Sequence, residues 1–91
     1  MKVLIAKIYG KVQGVFFRKY TCDFARSIEL VGIVKNLEDG TVFIKVSGAD
    51  KNLKKFKKYL QNGSPDSRVD KIDYSWENSS VEYSIFEIEY S

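Results

Sequence analysis

Residues 10–18 read Gly10-Lys11-Val12-Gln13-Gly14-Val15-Phe16-Phe17-Arg18, and the patterns on either side of them predict a strand followed by a helix. An alternating run precedes this stretch, with Leu4, Ala6 and Ile8 on one face, as in a half-buried strand. Apolar residues at helical spacing follow it: Tyr20, Phe24, Ala25 and Ile28. The stretch itself is therefore predicted to be a strand-to-helix turn with a glycine at each bend.

The predicted turn has the properties of an anion-binding loop. It directs several backbone N–H groups toward one point in front of a helix N-terminus, and Gly14 can adopt the positive φ that makes them converge. Arg18 and Lys19 would lie where the helix dipole is positive, which disfavours a cation by about 0.3–1 kcal/mol. An anion held between the amides and the Arg18 guanidinium removes this conflict. The sequence therefore predicts a phosphate site, with Arg18 as its first candidate because a planar guanidinium binds two phosphoryl oxygens at once.

The middle of the chain predicts a hairpin and a second helix. Residues 33–38 and 41–48 are rich in β-branched residues, and Asp39-Gly40 between them is typical of a tight hairpin turn. A helix is predicted from Asp50, as its N-cap, to Gln61. Gly63 and Pro65 supply its C-terminal stop. The apolar stripe of this helix consists of Leu53, Phe56 and Leu60.

Two further strands complete the predicted order. Ile72, Tyr74 and Trp76 alternate in one, Phe86, Ile88 and Tyr90 alternate in the other, and the polar Asn78-Ser79-Ser80 separates them. The order is β-α-β-β-α-β plus a short C-terminal strand. Two helices on one face of a mainly antiparallel sheet form an α+β, ferredoxin-like (split β-α-β) sandwich. We expect residues 1–91 to form a single domain of this kind.

Composition excludes several classes of protein and of chemistry. With 44% hydrophobic and 30% charged residues the chain is an ordinary globular sequence, no apolar run approaches the length of a membrane span, and residues 1–9 lack the features of a signal peptide. One cysteine cannot form an internal disulfide, so the cytoplasm is the expected location.

The absence of histidine removes Ser-His-Asp and Cys-His pairs and histidine-ligated metals. Cys22 does not open a Cys-x5-Arg loop, because Ile28 stands at the arginine position, and it is predicted to be a half-buried helix residue.

Two blocks resemble one known family. Gly10 to Arg18, followed by Lys19-Tyr20-Thr21, resembles the signature loop of the acylphosphatases, and Gly32 to Val42 resembles their Gly-x-Val-x-Asn-x-x-x-Gly-x-Val segment. The blocks occur in the family's order and spacing, and the resemblance covers the whole chain. Two positions differ from the common pattern: many members have a small residue where Phe16 stands and Trp where Ile33 stands.

The resemblance implies an enzyme that hydrolyses the carboxyl-phosphate bond of acyl phosphates by in-line attack of water, with no cofactor, metal or covalent intermediate. It implies that Arg18 binds the phosphate and that Asn36 orients the water; from the strand pattern alone Asn36 reads as an exposed or edge-strand residue. The expected partners are a small acyl phosphate and inorganic phosphate, as product and inhibitor, with no nucleic acid or membrane, for a monomeric protein. The loop residues implied to bind phosphate through their backbone are Gln13, Gly14, Val15, Phe16, Phe17 and Arg18.

Two other functions fit parts of the sequence. RNA-recognition domains share the predicted strand and helix order, and the second helix carries five lysines, but on the two strands that follow the first helix only Phe43 is available to stack on a base. Those lysines also occupy the face opposite the apolar stripe, as solvated residues do. A sensor domain that binds an acyl phosphate without turnover is the other alternative, since fold does not fix function.

Overall fold

A computed structural model of the chain describes residues 2–78 and 83–90. Five strands and two helices alternate along it. In chain order they are β1 (Lys2–Lys11), α1 (Phe17–Ser27), β2 (Val31–Asn36), β3 (Val42–Ser47), α2 (Asp50–Asn62), β4 (Arg68–Asn78) and β5 (Phe86–Ile88). Residues 79 and 80, part of the polar separator predicted before the last strand, lie outside the described residues.

The five strands form one sheet in the order β4-β1-β3-β2-β5. All neighbours are antiparallel except β2 and β5, which run parallel. Both helices cover the same face of this sheet, so the predicted ferredoxin-like α+β fold is confirmed. The last strand is shorter than the alternation suggested: it ends at Ile88, and Tyr90 lies beyond it with 75% of its surface exposed.

The core lies between the sheet and the helices. Leu4, Ala6 and Ile8 are fully buried, as the alternation in β1 predicted. The predicted stripe of α2 is confirmed, because Leu53, Phe56 and Leu60 lie in the same cluster. On α1 the prediction holds in part: Ala25 is buried and Phe24 and Ile28 pack half-buried against the core, whereas Tyr20 is 47% exposed. The buried residues of α1 are Phe17, Thr21, Cys22 and Ala25.

Three local details differ from the sequence prediction. Gly10 lies inside β1, at the shift in register against β4, where a side chain would collide with the carbonyl of Arg68. It therefore permits a close approach of two strands and is not a bend of the turn. Asp50 is the first residue of α2 and Ala49 is its N-cap, which makes no side-chain cap. Cys22 is 4% exposed, so it is buried and not half-buried.

No helix in the ranges 2–78 and 83–90 is both long enough and apolar enough to cross a bilayer.

Candidate active site

The segment between β1 and α1 is a tight loop with alternating backbone conformations. Gly14 has a φ of 75° and Phe16 a φ of 60°, while Val15 between them stays outside the left-handed region. Successive amides in such an alternation form a concave nest for an anion. A Cβ on Gly14 would meet no atom within 4 Å. Glycine is thus favoured there by the backbone conformation and not by crowding.

Buried side chains hold this loop in place. Val12 and Phe17 are 1% exposed and Val15 is 8% exposed, so these three side chains anchor the loop in the core. The Ser64 hydroxyl, itself buried, donates a hydrogen bond to the Val15 carbonyl at 3.0 Å. The loop is therefore fixed from the side of α2, before any ligand binds.

The first backbone N–H groups of α1 are available to bind a ligand. Phe16 is the N-cap, no side chain caps the helix, and its first turn carries no acidic residue. The first intrahelical donor is Tyr20, whose N–H reaches the Phe16 carbonyl at 3.1 Å. The N–H groups of residues 17–19 consequently have no partner within the helix. Together with the loop amides they can bind an anion.

Arg18 lies at the mouth of this amide cluster. It is half-buried, and its Cζ lies 5.0 Å from the centroid of the Tyr90 ring. Within the described ranges, no carboxylate forms an ion pair with it. The aromatic face of Tyr90 holds its guanidinium, and no side chain in the described part of the chain accepts a hydrogen bond from it, so its donors can face an anionic ligand.

Asn36 is the last residue of β2, between β3 and β5, and is half-buried. Its Oδ1 is buried and accepts no hydrogen bond from any residue in the described part of the chain. A buried acceptor without a partner costs about 1–3 kcal/mol, so folding stability does not explain the amide. The reading of Asn36 as an exposed residue, which the strand pattern alone favoured, is wrong.

The loop, α1 and the ends of β2 and β5 enclose a cleft of about 920 Å³, within the roughly 300–1,000 Å³ typical of small-molecule sites. Arg18 and Asn36 both line it, although they come from different elements. Of the loop residues implied by the resemblance, Gly14, Phe16 and Phe17 also line the cleft, whereas Gln13 and Val15 do not.

Sequence reasoning missed the side chain of Gln13, for which it proposed only a backbone role. Gln13 Nε2 donates hydrogen bonds to the carbonyls of Leu37 and Thr41, both at 2.8 Å. These carbonyls belong to the hairpin that follows Asn36. No local pattern signals a contact across 24 residues of chain.

A charged cluster stabilises the same hairpin. The Thr41 hydroxyl and backbone N–H both donate to Asp39 Oδ1, and Lys7 Nζ lies 3.0 Å from Asp39 Oδ2. The Thr41 hydroxyl, followed by Lys7, lowers the pKa of Asp39 to about 2. Gly40 completes the predicted turn with a φ of 90°. Because its pKa is lowered to about 2, the Asp39 carboxylate is ionised at any ordinary pH.

Cys22 lies on the cleft wall without the properties of a nucleophile. Burial raises the pKa of its thiol, and its Sγ–H donates to the Phe86 carbonyl at 3.4 Å. A reactive cysteine needs a lowered pKa and access to solvent. Among residues 2–78 and 83–90, no group of three or more acidic or cysteine side chains has the geometry to hold a metal ion.

The sequence of the chain is similar to that of one known protein family. The model of the family described as Acylphosphatase matches residues 4–88. The chain belongs to the acylphosphatase family. Acylphosphatase-2 of Bos taurus is 48% identical to it over 50 residues, which make up 55% of this chain and 50% of the relative. The aligned segment thus spans about half the length of that curated acylphosphatase.

Solved structures match the acylphosphatase fold over nearly the whole chain. The crystal structure of acylphosphatase from Bacillus subtilis superposes with a TM-score of 0.93 at 36% identity, covering 99% of this chain and 100% of that one. HypF from T. kodakarensis superposes with a TM-score of 0.90 at 29% identity, covering all of this chain but 12% of that one. An acylphosphatase fold therefore also occurs within a much longer protein.

Proposed function

We propose that this chain is an acylphosphatase, which hydrolyses the carboxyl-phosphate bond of small acyl phosphates to a carboxylate and inorganic phosphate. Membership of the family supports this activity. The observation that carries it is the buried, unpartnered Oδ1 of Asn36 in the same cleft as Arg18 and the open amides. Such a site offers an acceptor for water on one side and donors for an anion on the other.

The proposed division of labour follows from the chemistry of each group. The amides of residues 13–18 and the Arg18 guanidinium bind the phosphoryl oxygens and neutralise charge that accumulates on them. Asn36 Oδ1 accepts a hydrogen bond from a water and directs its oxygen at phosphorus. An aspartate there would repel the anionic substrate.

The reaction needs no further catalytic group. The water oxygen forms a bond to phosphorus while the bond from phosphorus to the acyl oxygen breaks in line with it, and the electron pair leaves with the carboxylate. A carboxylate is a stable leaving group, so no general acid has to protonate it. The water's protons pass to the phosphate product and to solvent. We therefore propose a metal-free hydrolysis without a covalent intermediate, in one domain that acts as a monomer in the cytoplasm.

The test is hydrolysis of benzoyl phosphate by the purified protein in EDTA, followed by ultraviolet absorbance, with and without inorganic phosphate. Turnover that phosphate inhibits competitively is the expected result. Phosphate binding without turnover would instead support the sensor alternative. Absence of both would contradict the proposal for the loop as well as for the reaction.

A further inference from the structure

We infer that the side chain of Gln13 positions Asn36 relative to the phosphate loop, and so sets the line of attack of the water. The inference rests on the proposed function, and it assigns the side chain of Gln13 a role separate from phosphate binding by its backbone amide. Gln13 directly precedes Gly14 of the loop, and Leu37 directly follows Asn36. The hydrogen bond from Gln13 to Leu37 therefore links the loop to the end of β2, at positions directly adjacent to Gly14 and Asn36.

The geometry of the link is bidentate. Gln13 Nε2 carries two hydrogens, and both are used, one on the Leu37 carbonyl and one on the Thr41 carbonyl at 2.8 Å each. Leu37 directly follows β2 and Thr41 directly precedes β3, so the two residues lie on either side of the hairpin turn. A single amide group bonded to both carbonyls fixes the direction as well as the distance of the hairpin end.

The carbonyl groups of Leu37 and Thr41 also accept hydrogen bonds from within the hairpin itself. The Leu37 N–H donates to the Thr41 carbonyl at 2.9 Å, and the Gly40 N–H donates to the Leu37 carbonyl at 3.2 Å. Each carbonyl bonded by Gln13 thus keeps one partner when the side chain is changed. A substitution of Gln13 removes the connection between hairpin and loop, while the hairpin itself remains bonded.

The expected consequence is a loss of alignment without a loss of binding. A displacement of about 1 Å at a reacting group can lower a rate by up to about 100-fold. The loop amides and Arg18 do not depend on the Gln13 side chain, so phosphate affinity is expected to persist. Gln13 is a positioning residue in this scheme, since it acts through Asn36.

The experiment compares Gln13→Met, which has a similar length but no donor, with Gln61→Met on the exposed surface of α2 as the matched control. We expect Gln13→Met to lower kcat for benzoyl phosphate about 10- to 100-fold, with less than about a twofold change in the inhibition constant of phosphate. Gln61→Met is expected to leave both unchanged. A parallel loss of kcat and phosphate affinity in Gln13→Met would overturn the inference.

A double-mutant cycle separates positioning from a general structural effect. In an Asn36→Ala background, Gln13→Met is expected to change kcat by less than about twofold, because groups that act as one unit are not additive. The full loss in that background would contradict a role through Asn36.

An NMR measurement keeps the inference testable even if the wild-type chain proves to have no turnover. The side-chain amide signals of Asn36 are expected to shift in Gln13→Met and to stay in place in Gln61→Met. Unchanged Asn36 signals in Gln13→Met would refute the inference, whereas absent turnover with shifted signals would refute only the proposed reaction.

Discussion

At the scale of single residues, the proposed site combines Arg18, which would bind the phosphoryl group, with Asn36, which would orient the water. Arg18 carries a charge and a planar fork, and the aromatic face of Tyr90 lies behind it. Asn36 carries no charge and has a buried acceptor without a partner in the described chain. Substitutions at the two positions are therefore expected to have different kinetic signatures.

Arg18→Lys retains the positive charge and removes the fork. We expect kcat/KM to fall at least about 100-fold, the size of effect seen when one donor to a developing oxyanion is lost, and phosphate affinity to fall with it. Arg68→Ala is the control, because Arg68 is exposed on β4 and forms an ion pair with Asp70. Steady-state kinetics with phosphate inhibition check this, and turnover of Arg18→Lys close to that of the wild type would remove Arg18 from the proposed mechanism.

Asn36→Ala is expected to lower kcat far more than it weakens phosphate binding, because Asn36 acts on the nucleophile. It also removes a buried, unpaired acceptor, so the free energy of unfolding is expected to stay the same or rise by up to about 1 kcal/mol. Urea denaturation and inhibition kinetics measure the two effects, with the exposed Asn62→Ala as control. Equal losses in kcat and phosphate affinity would point to a binding role for Asn36.

At the scale of elements, the hairpin between β2 and β3 carries Asn36 and is stabilised by Asp39. The pKa of Asp39 is lowered in the folded chain by the Thr41 hydroxyl and by Lys7. A lowered folded-state pKa gives stability that is present above the unfolded-state pKa and is lost as the pH falls through the folded-state value. For Asp39 that range runs from about pH 4 to about pH 2.

Asp39→Asn is accordingly expected to be less stable than the wild type at neutral pH, with the difference shrinking between about pH 4 and pH 2. Urea midpoints measured across this range check the prediction. Asp66→Asn, at an exposed turn position, serves as the control and is expected to follow the wild-type curve. A constant difference between Asp39→Asn and the wild type down to pH 2 would show that the charge of Asp39 is not what stabilises the hairpin.

The elements also show what the sequence could predict. Alternation in β1 and the stripe of α2 predicted the fold, because burial on one face imposes these periods directly. Arg18 was proposed from its conflict with the helix dipole, a local property. Asn36 was proposed only through the family resemblance, since its strand pattern favoured exposure. Gln13 and Tyr90 were missed as partners of the site because their contacts join distant parts of the chain.

The backbone conformation of Phe16 gives a physical reason for the small residue that is common at this position of the family. Many acylphosphatases have a small residue where Phe16 stands, and here that position adopts a left-handed conformation with a φ of 60°. A residue with a Cβ is strained in this region by about 1–2 kcal/mol. The ring points outward and is 70% exposed, so Phe16 gains little burial to offset that strain.

At the scale of the whole molecule, anion binding is expected to couple to global stability. Inorganic phosphate at 100 times its dissociation constant at the melting temperature contributes about 2.7 kcal/mol to the folded state. For a chain of this size that corresponds to a rise in Tm of roughly 10–20 °C. Calorimetry with and without phosphate measures it, and Arg18→Ala is expected to lose most of the rise. A rise in Tm that survives in Arg18→Ala would locate phosphate elsewhere on the protein.

The parallel pairing of β5 with β2 has a consequence for folding during translation. The phosphate loop and Asn36 leave the ribosome early, but Ile88 and Tyr90, which form part of the cleft wall, leave it late. Pairing of such distant segments closes a long loop and is slow compared with local helix formation. A nascent chain therefore carries every catalytic candidate well before it carries the complete cleft wall, and the proposed hydrolysis is expected only after β5 has been translated.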